Sequence, residues 1–125
     1  MHCGDTLLIP ANAGSGETPH LWIIVTEPDP FCAIVSLSTL RYSKDQTVVL
    51  RKGEHPFIRH DTAVLYMYAE IANVAQLRTQ ISEGCAVPHD PCNAGLLKLI
   101  QDGIFASDFT PRRIQIFCRA KLKPS

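Results

Sequence analysis

Two imidazoles, a guanidinium, two carboxylates and a hydroxyl fall within Gly53–Thr62 (Gly-Glu-His-Pro-Phe-Ile-Arg-His-Asp-Thr), the densest chemical signal in the chain. Histidine is the side chain whose ordinary pKa lies nearest neutrality, so a pair can take and give a proton within one reaction. His55 and His60 are separated by four residues, one of them proline, so the segment is expected to be a loop. The strand-like run Ala63-Val64-Leu65-Tyr66-Met67-Tyr68 follows directly, and a rigid strand holds a polar loop at its lip. The competing interpretation is a solvated loop whose histidines flank a buried Phe57-Ile58 plug.

Paired imidazoles beside a cation suit cleavage of RNA without a metal. The 2′-hydroxyl must lose a proton, the leaving 5′-oxygen must gain one, and a cation must steady the charge on the phosphorus centre. His20, His55, His60 and Arg59 have the required types, and Tyr66 with Tyr68 on one strand face would stack bases or hold phosphate oxygens. The same tyrosines alternate with Leu65 and Met67, so their face equally suits the core or a dimer contact. Zinc takes ligands of the types offered by Cys85, His89, Asp90 and Cys92. Structural zinc sites pair their ligands in Cys-x-x-Cys steps, which are missing here, so incidental thiols in a loop are expected and no metal. Cys92, near a helix start, has no located base to make it a nucleophile. There is no Gly-x-Ser-x-Gly elbow and no His-Glu-x-x-His pair, and no cofactor is expected.

The elements that must position these groups are short. At 125 residues the chain suits one domain spanning 1–125. Lys+Arg and Asp+Glu balance at 12 each, which argues against coating nucleic acid by bulk charge but leaves room for a local basic groove. Apolar runs are strand-length, far short of a bilayer span, and the first residues lack the pattern of an export signal. Five scattered cysteines, an odd number, fit free thiols in a reducing cytoplasm, with Cys32 and Cys118 as core filler.

Strands are expected over Asp5–Pro10, Leu21–Thr26, Phe31–Leu37, Gln46–Leu50 and Thr62–Ala72, with a hairpin across Glu27-Pro28-Asp29-Pro30. The small, glycine-rich Ala11–Pro19 reads as a loop; its glycines fit neither phosphate-cradle pattern. Val74, Leu77 and Ile81 recur at helical spacing, so Asn73–Glu83 is read as a short helix or irregular turn. The main helix starts near Asp90-Pro91, with the stripe Leu96, Leu97, Ile100 and Ile104. Ile114, Ile116 and Cys118 alternate and predict a last strand over Arg112–Arg119. The fold class is therefore α+β: a small curled β-barrel, SH3-like, with one main helix near the C-terminus.

Taken in order, several stretches resemble the PemK/MazF family of toxin ribonucleases. Gly4-Asp5-Thr6-Leu7-Leu8-Ile9-Pro10 is similar to that family's opening strand, and His20-Leu21-Trp22-Ile23-Ile24-Val25-Thr26 to its Arg-Pro-hydrophobic strand, with His20 where the family carries arginine. Ser36-Leu37-Ser38-Thr39 resembles its Pro-Leu-Thr-Ser strand end, which puts Ser38 at the catalytic hydroxyl, and Asp61-Thr62-Ala63-Val64 resembles Asp-Ser-Val-Val. The resemblance implies a homodimeric barrel, a small antitoxin partner and metal-independent cleavage of single-stranded RNA. Both family arginine positions differ, one at His20 and one within Leu65–Tyr66. On this reading His20 and His60 are acid and base, and Ser38 contacts the oxyanion or the 2′-hydroxyl. His55, Arg59, Asp61, Thr62, Tyr66 and Tyr68 then contact substrate. The alternative is a non-catalytic dimeric interaction module on the same barrel.

Overall fold

The computed structural model describes residues 1–10 and 19–122. Most of the Ala11–Pro19 loop lies outside them. Six strands form one antiparallel sheet: β1 (Thr6–Ile9), β2 (His20–Ile24), β3 (Phe31–Thr39), β4 (Val49–Leu50), β5 (Thr62–Asn73) and β6 (Val87–His89). Their spatial order is β4-β5-β3-β2-β1-β6. Three helices complete the fold: α1 (Val74–Ser82), α2 (Ala94–Ala106) and α3 (Arg112–Lys121). The class is α+β, a curled half-barrel sheet with helices on both of its faces, and the β2–β3 hairpin forms as expected.

Alternation on β2 and β3 assigns the two faces. Leu21, Ile23, Ala33, Val35 and Leu37 point into a core closed by Ile100 and Ile104 of α2 and by Ile114 and Cys118 of α3. Ile24, Cys32 and Ile34 turn the other way, against Val74 and Leu77 of α1. A period of two on a strand puts successive residues on opposite faces, so β2 sends His20 and Trp22 towards the α1 side. β5 could not serve both faces as a straight strand. Its register to β3 runs from Ser36↔Leu65 to Ile34↔Glu70, so Val35 alone opposes Tyr66, Met67, Tyr68 and Ala69. This bulge bends the strand and breaks its alternation: Tyr66 and Ala69 are buried while Met67 and Tyr68 are exposed.

Two expectations need correction. Arg112–Lys121 is a helix, and no strand follows α2 among the described residues. Ile114 and Cys118 are four apart and both buried, whereas Ile116 is 55% exposed, so the stripe that counts has helical and not strand spacing. The short β6, paired with β1, is a strand that no pattern in the sequence signals, and Asn73–Glu83, readable as a short helix or an irregular turn, forms the helix α1. Finally, α2 starts later than Asp90-Pro91. Asn93 caps it, its Oδ1 accepting from the Leu96 amide at 2.8 Å. The Asp90 carbonyl serves as a tie instead, accepting from Thr6 Oγ1 at 2.7 Å and from His55 Nε2 at 2.6 Å.

A buried carboxylate orders the segment that leaves β3. Asp45 Oδ1 accepts from the Thr47 amide at 3.0 Å and from Thr47 Oγ1 at 2.7 Å, and Oδ2 accepts from Ser107 Oγ at 2.7 Å. These bonds fasten the chain beyond a single 3-10 turn over Leu40–Tyr42 to the end of α2. That turn leaves Arg41 and Tyr42 exposed.

Candidate functional site

Three separate segments converge on one cleft of about 470 Å³. The start of β2 brings His20, the end of β3 brings Ser38 and Thr39, and the loop before β5 brings Phe57, Arg59 and His60. Sheet register accounts for the first meeting. Trp22 is paired with Ser36, so two residues further along each antiparallel strand His20 comes alongside Ser38. The second meeting follows from β3–β5 pairing: Thr39 faces Thr62, which draws the His60 loop against the end of β3. Thr39 Oγ1 and His60 Nε2 lie 3.0 Å apart, a hydrogen bond in which either can donate.

The two imidazoles are oriented differently. His20 Nδ1 lies 3.1 Å from the Leu37 carbonyl, which can only accept, so Nδ1 carries the hydrogen. The Nε2 lone pair of neutral His20 is then left for a proton, the tautomer of a positioned general base. His60 is exposed at the cleft mouth, and Thr62 Oγ1 donates to its backbone carbonyl at 2.9 Å. Thr62 thus lines the cleft and pins the His60 backbone, with its hydroxyl hydrogen already committed.

A second, more open cleft of about 860 Å³ shares Thr39, Arg59 and His60 with the first and adds Arg41 and Lys52. Asp61 belongs to this neighbour, where Arg51 Nη1 holds its carboxylate in an ion pair. Arg41, Lys52 and Arg59 therefore form a locally basic track leading to the histidines, although the whole chain is formally neutral. Tyr42 lines the first cleft with 71% of its surface exposed, and the Arg41 guanidinium carbon lies 4.7 Å from its ring centre.

Four of the residues expected to contact substrate stand elsewhere. His55 is buried, with Nε2–H donating to the Asp90 carbonyl at 2.6 Å and Nδ1 accepting from the Phe57 amide at 3.1 Å. Both ring nitrogens are spent on holding the loop to the segment before α2, so His55 positions the loop and does not face the cleft. Tyr66 is fully buried, and its hydroxyl donates to the Ile100 carbonyl at 2.8 Å. Desolvation there drives the phenol far above its ordinary pKa, which fits a core residue and not a base-stacking one. The β5 bulge separates it from Tyr68, which is 61% exposed but lines a neighbouring hollow with Tyr42 and Phe109. Asp61 is occupied by Arg51 and would repel a phosphate. His20, Ser38, Arg59, His60 and Thr62 are brought together.

Sequence reasoning passed over Arg41, Tyr42 and Lys52. The signal was available for the first two: a cation and an aromatic stand just beyond the Ser38-Thr39 strand end. As for the thiols, Cys85 is exposed and Cys92 half-buried, and among the described residues no three His, Cys, Asp or Glu side chains gather as metal ligands. Among the same residues no helix is long and apolar enough to cross a membrane.

Compared with known proteins, the chain matches no family profile, no curated protein and no solved structure.

Proposed function

We propose that the protein is a metal-independent endoribonuclease acting on single-stranded RNA, of the PemK/MazF toxin type. One observation carries this reading: His20, Ser38, Arg59 and His60, drawn from three segments, line one cleft that continues into a basic track. His20 Nε2 takes the proton of a 2′-hydroxyl, whose oxygen then attacks the adjacent phosphorus. As the new P–O2′ bond forms, the P–O5′ bond breaks, and His60 donates a proton to the departing 5′-oxygen. Arg59 and the Ser38 hydroxyl, which line the same cleft, stabilise the non-bridging oxygens during this exchange. The products are a 2′,3′-cyclic phosphate and a 5′-hydroxyl. As a toxin it would act in the cytoplasm as a homodimer and be silenced by a small antitoxin.

The test is incubation of purified protein with structureless RNA in excess chelator, followed by analysis of the end groups. Cyclic phosphate and 5′-hydroxyl ends are expected. Ends bearing a 5′-phosphate, or cleavage that vanishes with EDTA, would overturn the mechanism. Growth arrest on expression, relieved by a small protein encoded alongside, would support the toxin assignment.

A second reading, an interaction module, draws on the outer edge of β5. β4 pairs only with Thr62 and Ala63, and beyond them the strand exposes Met67, Tyr68 and Ile71 at 45%, 61% and 38%. A dimer broken by Met67→Asp, in a protein without cleavage activity, would favour it.

A further inference from the structure

His20 also stands in the wall of another cleft. On the α1 side of the sheet, a hollow of about 490 Å³ begins at His20 and runs over Trp22 to the bent half of β5 and the first turns of α1. Its floor is apolar, with Trp22, Ile34 and Leu77, and its rim is polar, with Glu70, Gln76 and Gln80. The volume lies within the range of about 300–1,000 Å³ usual for small-molecule sites.

We infer that this hollow is a nucleobase subsite, which seats a base next to the scissile linkage and sets the cleavage sequence. The inference rests on the nucleolytic reading of the His20 cleft. Trp22 and His20 are two apart on β2 and share a face, so they stand about 7 Å from each other along the strand. An extended nucleotide spans that distance, which puts one base over Trp22 when its phosphate group is at His20. The half-buried indole offers a stacking face, and stacking accepts any base. Selection falls to the rim. The Gln76 and Gln80 amides both donate and accept, whereas the Glu70 carboxylate only accepts. Asn73 Oδ1 is already taken by the Gln76 amide as the cap of α1, which leaves its NH2 group as a further donor. The Glu70 carboxylate accepts from the exocyclic amino group of adenine, cytosine or guanine, whereas uracil presents its single imino N–H between two carbonyl oxygens that the carboxylate repels, so uracil is the poorest occupant.

Trp22 is the chain's only tryptophan and reports on its own site. The experiment titrates the whole protein with 2′-O-methyl hexanucleotides of A, C, G or U, which cannot be cleaved for lack of a free 2′-hydroxyl, and follows intrinsic fluorescence. Saturable quenching is expected, about tenfold or more tighter for one amino-bearing base than for U, a difference within the usual range of hydrogen-bonded readout of a base edge. Glu70→Gln and the pair Gln76→Ala/Gln80→Ala change exposed side chains only and should flatten that preference without altering thermal unfolding. On cleavable RNA of mixed sequence the same variants should redistribute the cut sites. Quenching that is equal for all four bases, or absent, would overturn the subsite, as would an unchanged cut-site profile in the variants of an active nuclease. Base-selective quenching in a protein that cuts no RNA would leave the subsite standing and remove the nuclease.

Discussion

Gly103→Ala should loosen the fold while leaving the cleft chemistry intact, because Gly103 is a contact surface for the Tyr66 ring. A Cβ added there overlaps Tyr66 Oη and lies 2.6 Å from both Tyr66 Cζ and Val48 Cγ2. Neither neighbour has room to retreat: Tyr66 is fully buried, and its hydroxyl is tied to the Ile100 carbonyl at 2.8 Å. Overpacking of this kind costs about 1–3 kcal/mol, and loss of the tyrosine hydrogen bond adds about 1 kcal/mol. The better helix propensity of alanine returns about 1 kcal/mol, so the net loss is about 1–3 kcal/mol. For a domain of this size that lowers Tm by roughly 4–12 °C. Urea and thermal unfolding of Gly103→Ala, Tyr66→Phe and the double variant measure the effect as a cycle. Removing the hydroxyl relieves part of the overlap, so the double variant should be more stable than the sum of the single losses predicts. Tyr66→Phe alone should cost about 1 kcal/mol and leave cleavage unchanged at low temperature. An alanine variant as stable as wild type, or strictly additive losses, would refute the packing argument. Lost cleavage in a stable Tyr66→Phe protein would return Tyr66 to the substrate site.

Other expectations follow from the same geometry. His20→Asn offers a donor to the Leu37 carbonyl but cannot take up a proton, so kcat should fall about 10²–10⁴-fold with little change in unfolding; unchanged turnover would acquit His20. Arg41→Ala/Lys52→Ala should weaken binding of uncleavable RNA and make its salt dependence shallower by about 0.7 in log–log slope for each phosphate no longer neutralised, whereas an unaltered slope would place the RNA elsewhere. Asp45→Ala removes three hydrogen bonds to a buried carboxylate and should destabilise the protein by about 2–4 kcal/mol in urea melts. Burial pushes the Cys32, Cys92 and Cys118 thiols up to about 11. Iodoacetamide near neutral pH should therefore label exposed Cys85 well before these three, as read by peptide mass. Their folded pKa values lie above the ordinary 9.0, so stability holds below pH 9 and declines as pH rises towards 11, when the unfolded thiols ionise first. A flat stability profile across that interval would contradict the burial.

The strands that carry the site were legible because each buries a face against a single layer. Leu21 and Ile23 alternate with His20 and Trp22, and the period of two in the sequence is the period of the finished strand. The stripe through Leu96, Ile100 and Ile104 similarly marked α2, whereas the helical spacing of Val74, Leu77 and Ile81 left α1 open between a short helix and an irregular turn. Ile114, Ile116 and Cys118 misled because five residues fit both periods, and only packing against α2 and the sheet chose the i, i+4 pair. Residue types likewise proposed the chemistry, and His20, Ser38, Arg59 and His60 were named from type and motif order alone.

Which of those groups meet depended on the folded chain. His55 and His60 are near neighbours in sequence with similar prospects, yet one ring is consumed by the Asp90 carbonyl and the Phe57 amide while the other opens on the cleft. The Asp90 contact spans thirty-five positions of sequence, beyond the reach of any local pattern. Tyr66 and Tyr68 share a period-two face on paper, and the bulge opposite Val35 sends one to the core and the other to solvent. The inventory of imidazoles and cations, and the periodicity of the elements that hold them, could be read from the residues alone because both are local properties. Which nitrogens remain available for a substrate was settled by folding, because every hydrogen bond that removes one is made by a residue distant in the chain or by a backbone whose path the fold imposes.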